Sequence, residues 1–298
     1  MTEKFKAYLD LLRLHFFFVW PTLFCAGLFL GFQYYDSFSL STVIRGVLIG
    51  FLGFEAGLVL NDIVDVEFDK KDVEFDKLTK YWRPFGKRPI SQGLISKRAA
   101  VVVFGLLVAF TAALIVTLPF PQSLYVLSIM AVCYCLEVFY QIVKRKENFP
   151  FAQLIGRIDF TLFPVAGYLA VGNPDVNALF FALFFYPLAM AHLGINDLVD
   201  VANDQARGLN TITTFYGLNG TSYWILLFSV FHFVTAAVFL TVLGTVALVG
   251  FAVSLSLIAV ANFVVLKGRN STSGLKALPL FHVAMLIYAV SIILNFFL

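Results

Sequence analysis

The chain has 298 residues, 60% of them hydrophobic and only 13% charged, with a mean hydropathy of +0.88 and a formal net charge of +3. Soluble domains are typically about half apolar and a quarter charged, so this composition excludes a water-soluble globule and identifies an integral membrane protein. The small positive charge implies no nucleic-acid partner, because the basic residues lie where membrane topology would place them.

A membrane crossing needs about 20 apolar residues. Runs of that kind predict helices over 14–34, 43–60, 99–118, 122–142, 151–171, 177–195, 222–241, 243–266 and 278–298. The first run carries no small-residue cleavage site and is followed by many like it, so it reads as a span and not as a removable signal peptide. Cys25, Cys133 and Cys135 all fall inside apolar runs, where cysteine behaves as a small hydrophobe, and they imply neither a disulfide nor a metal site.

The second run closes on Asn61-Asp62-Ile63-Val64-Asp65-Val66-Glu67-Phe68-Asp69. At 100° per residue, Asp62, Asp65 and Asp69 fall within about 60° of one another on a helix, with Asn61 at the edge of that arc. Three carboxylates held together at the mouth of an apolar helix repel one another unless something cationic sits among them. A seven-residue echo follows, Val73-Glu74-Phe75-Asp76-Lys77 after Val66-Glu67-Phe68-Asp69-Lys70. It predicts a solvated helix continuing out of the membrane with Phe68 and Phe75 against the bundle, in preference to metal ligation by Asp72 or Asp76.

The sixth run ends on Asn196-Asp197-Leu198-Val199-Asp200-Val201-Ala202-Asn203-Asp204, which repeats Asn61, Asp62, Asp65 and Asp69 at a constant offset of 135 residues. With the N-terminus in the cytoplasm, all of the 21 lysines and arginines except Arg45 and Arg157 collect on the cytoplasmic side, as the positive-inside rule requires. Both acidic motifs then lie on that side, followed by the two longest loops, 61–98 and 196–221. The expected fold is an all-α polytopic bundle of about nine transmembrane helices forming one domain over 1–298. Two parallel pseudo-repeats, about 11–146 and 150–276, would surround a central cavity.

Six clustered aspartates suit a hard cation such as magnesium, which takes one or two carboxylates together with phosphate oxygens and water. Asp62, Asp65, Asp69, Asp197, Asp200 and Asp204 are therefore candidate ligands for two or three magnesium ions bridging to a diphosphate. Lys87, Arg88, Lys144 and Arg207, with Asn61, Asn196 and Arg13, are candidates to hold its oxygens. An anionic head at the cytoplasmic mouth above a greasy interior describes an amphiphile with a diphosphate head and a hydrocarbon tail.

The doubled N-D-x-x-D-x-x-x-D pattern resembles the UbiA superfamily of intramembrane prenyltransferases over essentially the whole chain. Lys87-Arg88-Pro89-Ile90, Tyr140-x-x-x-Lys144 and Asp200-x-x-x-Asp204-x-x-x-Gly208 are similar to further family segments. Asn210 departs from it, since many members carry a basic residue there. The resemblance implies magnesium-assisted ionisation of an allylic diphosphate, alkylation of an acceptor by the allylic cation, and loss of a proton. Tyr140 is the candidate to shield that cation. The acceptor would be an aromatic quinone precursor or a glycerol-phosphate lipid, with archaeal-type geranylgeranylglyceryl phosphate geranylgeranyl transfer as one specific activity. A divalent-cation transporter is the alternative from another class, disfavoured because transport sites usually lie near the bilayer midplane.

Other polar groups are weaker candidates. Glu55 shares a face with Asp62; Arg157 and Asp159 read mainly as a structural polar contact. His192, one turn before Asn196, stands at the edge of the site, His15 near its entrance, and His232 and His282 read as packing residues.

Overall fold

The computed structural model describes residues 1–298. It is helical throughout, and the helices begin where the chain supplies caps. Thr2 caps α1 (Glu3–Leu11), whose buried side, Ala7, Asp10 and Leu11, lies against the C-terminal half of the second span through Val59, Ile63 and Val66. The spans follow as α2 (Val19–Tyr35) and α3 (Leu40–Asp69), and a short α4 (Leu78–Trp82) interrupts the first long loop. Then come α5 (Lys97–Val116), α6 (Gln122–Val143), α7 (Ile158–Leu169) and α8 (Val176–Val199), with α9 (Val201–Arg207) in the second long loop. The last three are α10 (Ile212–Phe239), α11 (Thr245–Gly268) and α12 (Ser271–Phe297).

Eight of these segments are long and apolar enough to cross a membrane. The ninth expected span, 151–171, is a broken one: a single π-helical turn, Ala152–Gly156, leads into the 12-residue α7. π-turns of this kind are a recognised interruption of helices near functional sites. α8 is the most buried of the eight long spans and α5 the least, with 72% and 17% of their apolar windows buried. α8 is therefore central, and α5 faces lipid.

α3 has 30 residues. At 1.5 Å per residue it is about 45 Å long, against a hydrocarbon core of about 30 Å. Its last turns, which carry the first acidic motif, project into the polar layer. The helix stops at Asp69, and residues 73–76 are not helical, which corrects the expected solvated extension. The backbone N–H groups of Val73 and Glu74 donate instead to the side-chain oxygen of Asn203 on α9, at 2.9 and 2.8 Å. Once those donors are satisfied from across the cavity, the helix has no claim on them.

α2 and α7 meet with almost no side chain between them. A Cβ added at Gly27 would lie 1.9 Å from the Pro164 carbonyl oxygen, and one at Gly167 would lie 1.9 Å from that of Phe24. Small residues allow such close approach in membranes, where dispersion replaces the hydrophobic effect between helices. Gly27→Leu or Gly167→Leu is expected to cost about 3 kcal/mol through overpacking, read as a lowered midpoint of thermal unfolding in detergent. Gly105→Ala, where nothing lies within 4 Å, is the control that should leave the midpoint unchanged.

Candidate active site at the polar end of the bundle

The two acidic motifs, on α3 and on the α8–α9 junction, line one cavity of about 230 Å³. Asp65 and Asp69 face it from the first motif, and Asp197, Asp200 and Asp204 from the second. Arg13, Arg83, Arg88, Lys144, Arg157 and Arg207 share the lining, and Trp20, Phe54, Leu58, Trp82, Phe160 and Leu193 make its apolar wall. A smaller recess of about 140 Å³ opens between α3, α6 and α7, bounded by Asn61, Glu137, Arg157 and Asp159.

Arg207 ties the motifs together. It is 2.5 Å from Asp72 and 3.3 Å from Asp69 on the first side, and 3.5 Å from Asp200 and 3.8 Å from Asp204 on its own. Arg88 adds a second bridge, at 2.9 Å from Asp69 and 2.7 Å from Asp72. Burial alone would lower the Arg207 guanidinium, but the hydrogen bond to Asp72 and the charges of Asp200 and Asp69 raise it above its ordinary value, so it stays charged. Burial, and then the neighbouring charges of Asp200 and Asp197, push the Asp204 carboxyl well above the usual carboxylate range. The charges of Arg207 and Lys144 act the other way and do not offset this.

Lys144 reaches Asp65 at 2.9 Å, and Arg145 reaches its other oxygen at 2.9 Å. Tyr140 has the Arg157 guanidinium 4.1 Å and the Lys144 ammonium 4.8 Å from its ring centroid. Its electron-rich face thus already serves protein cations. Gly156 of the π-turn makes room for it, since a Cβ there would lie 2.6 Å from that of Tyr140. Asn61 donates to Glu137 at 2.8 Å, whereas Asn196 faces His192 at 3.3 Å, so the matched asparagines have different partners.

The structure departs from expectation at three residues. Both oxygens of Asp62 are taken by Arg83, at 2.8 and 2.9 Å, with Arg13 at 3.1 Å, and its side chain does not line the cavity. Lys87 is exposed and outside the lining. Its backbone N–H, with that of Phe85, is instead fixed by the Asp10 carboxylate at 2.9 and 2.7 Å. Glu55 is buried without a hydrogen-bond partner and lies outside the lining. His232 packs as expected, its two nitrogens 3.0 Å from the Phe184 carbonyl and 3.0 Å from the Tyr288 hydroxyl.

Sequence reasoning missed Arg83, Asp10 and Glu137, and it set Asp72 aside. Only Glu137 carried a usable signal, as a carboxylate inside a predicted span. Its partners are Asn61, Gln141 and Arg157. Arg83 is one of many basic residues in its loop, and nothing in its spacing sets it apart.

No three His, Cys, Asp or Glu side chains converge into a closed ion cage. The donors nevertheless fit a divalent hard cation: they are all carboxylates, and Asp69 Oδ1 is buried without a hydrogen bond. Magnesium ordinarily completes its shell with phosphate oxygens and water.

The model of the UbiA prenyltransferase family matches residues 18–289. The chain belongs to that family. It is therefore a multi-pass membrane protein of prenyltransferase descent. Among relatives, it is 26% identical over 262 residues to a digeranylgeranylglyceryl phosphate synthase from Korarchaeum cryptofilum, covering 85% of each chain. Among solved structures, a UbiA homologue from Aeropyrum pernix K1 superposes with a TM-score of 0.75 at 20% identity, over 94% of this chain and 98% of that one. A UbiA homologue from Archaeoglobus fulgidus, bound to GPP and Mg2+, superposes with a TM-score of 0.63 at 16% identity, over 96% and 99% of the two chains.

The Asp62–Arg83 pair tests how the first loop is held. Removing one member of a buried pair strands the other, at a cost of about 3–5 kcal/mol, whereas replacing both with apolar side chains is often neutral. Arg83→Met is expected to lower the thermal midpoint sharply, and Asp62→Leu combined with Arg83→Met to recover most of it. Equal losses in the single and double variants would show that the pair does not hold the loop.

Proposed function

We propose that the protein transfers an isoprenyl chain from an allylic polyprenyl diphosphate to a hydrophobic acceptor within the membrane, with magnesium as cofactor. One observation carries this reading: two matched acidic motifs and six long cationic side chains line a single cavity whose other wall is apolar. Neither half alone would need the other.

Arg88 already spans two carboxylates and Arg207 four, and a diphosphate offers paired oxygens to the same guanidinium fork. Together with Lys144 and Arg83 they would bind the head group and offset the charge that grows on it as the allylic carbon–oxygen bond breaks. Trp20, Phe54, Trp82 and Phe160 would exclude water from the allylic cation. Asp65, Asp69, Asp197, Asp200 and Asp204 would hold two or three magnesium ions, which supply Lewis-acid charge to the leaving diphosphate when bound. Asp62 acts here through Arg83. The GPP and Mg2+ bound by the Archaeoglobus homologue support the donor class and the metal.

For the acceptor, the name and length match of the Korarchaeum relative favour a glycerol-phosphate lipid carrying a free hydroxyl, with an aromatic quinone precursor as the comparison. The acidic loops and the N-terminus would face the cytoplasm, following the distribution of lysine and arginine.

The test is transfer of a radiolabelled prenyl group by the purified protein in lipid, with each acceptor in turn. Chelation of magnesium is expected to abolish transfer, and restored magnesium to recover it. Asp200→Asn and Asp204→Asn are each expected to lower kcat by about 100-fold or more, with the thermal midpoint unchanged. Full activity in both variants would refute the assignment of the second motif.

A further inference from the structure

We propose that His192 is the base that removes the acceptor's proton, and that His282 and Tyr81 carry that proton out to the polar surface. The proposal rests on the prenyl-transfer reading, because every such transfer leaves one proton behind. Its starting point is a chain of polar groups that diphosphate binding does not use.

His192 lies on α8, one turn before Asn196, and lines the cavity with its ring nearly parallel to Phe160, at 6.0 Å and 19°. Its Nε2 is 2.8 Å from Nε2 of His282 on α12. Nδ1 of His282 is 2.6 Å from the Tyr81 hydroxyl on α4. Tyr81 is half-buried, and its carbonyl accepts from the exposed His15 at 2.9 Å. Three side chains, His192, His282 and Tyr81, thus run outward from the cavity, and His15 meets the Tyr81 backbone beside them.

One arrangement of protons lets the chain run outward. Trp82 Nε1 has no lone pair to offer, so it donates to Asn196 Oδ1, at 3.4 Å. That turns the Asn196 amide N–H toward His192, 3.2 Å from its carbonyl, 3.3 Å from Nδ1 and 3.4 Å from Nε2. In that arrangement Nδ1 of His192 carries the lone pair. Its Nε2–H donates to His282 Nε2, and His282 Nδ1–H donates to the Tyr81 oxygen. Each donor points outward, away from the cavity. The only contact on the lone pair is one long amide bond, which an acceptor hydroxyl could replace. The charged groups sharing this wall are Arg157 at the start of α7, itself paired with Glu137 and Asp159, and Asp197 farther along α8. His232 is the contrast: both of its nitrogens are partnered within the apolar core, and it lines no cavity.

The step balances. The donor's C1–oxygen bond breaks with its electron pair leaving on diphosphate, and the acceptor's lone pair forms the new bond to C1. The acceptor's proton passes to His192 Nδ1 as the Nε2 proton passes to His282 Nε2. The Nδ1 proton of His282 passes to the Tyr81 oxygen, whose own proton leaves to water. His192 would be the catalytic base; His282 and Tyr81 would be positioning residues that act through it.

The experiment separates ionisation from proton removal. The full-length protein receives magnesium, acceptor, and a donor diphosphate carrying 18O at the bridging position. Scrambling of the label into non-bridging positions reports ionisation, and radiolabelled product reports transfer. His192→Ala is expected to lower transfer by about 100-fold while scrambling persists, and added imidazole should restore part of the transfer. His282→Leu and Tyr81→Phe should give smaller losses of the same kind. Transfer by His192→Ala at the wild-type rate would overturn the proposal. So would an equal loss of scrambling and transfer without rescue by imidazole, which would mark His192 as structural. Wild-type protein that neither scrambles nor transfers would instead overturn the prenyl-transfer reading itself.

Discussion

The site depends on holding many like charges together in a small, mostly dry volume. Asp65, Asp69, Asp72, Asp197, Asp200 and Asp204 would push one another apart or protonate if left alone at this depth. Arg88 and Arg207 prevent that by each touching carboxylates at two positions, and Arg207 does so across the two motifs. Guanidinium suits this use because it stays charged and presents its donors as a rigid fork. The arrangement also explains why the second motif keeps a strongly perturbed Asp204: the arginine is drawn toward the first motif and reaches Asp204 only at 3.8 Å.

The leading aspartate of each motif has a second use. Asp62 grips Arg83, 21 residues later, and Asp197 accepts the backbone N–H of Ile212, 15 residues later, at 2.9 Å. In both pseudo-repeats the first carboxylate therefore tethers the loop that follows it. Asp65, Asp69, Asp200 and Asp204 face the cavity, and Asp197, unlike Asp62, does so as well. The tether is an ion pair in the first motif and a backbone hydrogen bond in the second. Asn203, gripping Val73 and Glu74, then ties one loop to the other.

The span pattern was legible because hydropathy in a bilayer is a strong constraint on backbone hydrogen bonding. Eight long helices lie where apolar runs placed them, and the weakest case, 151–171, is the one broken by a π-turn. The aspartates could be read because they occur twice at one spacing. What could not be read was which basic residue meets which acid. Arg83 and Lys87 stand four residues apart in one basic loop; Asp62 and the Asp10 main-chain carbonyl take the Arg83 guanidinium inward, while the Asp10 carboxylate takes only the Lys87 backbone N–H and leaves that side chain in water. The 73–77 echo misled for a related reason: its helical register was outcompeted by a partner 130 residues away. His282 looked like packing because its role depends on His192, 90 residues earlier.

Tyr81 and Trp82 come from a loop made early in the chain, yet their anchor is His282 on the final helix. During synthesis the ribosome releases α4 long before α12 exists. A chain halted before α12 would carry all six motif aspartates but not His282. The Tyr81–His282 contact therefore forms only once the last helix is in place.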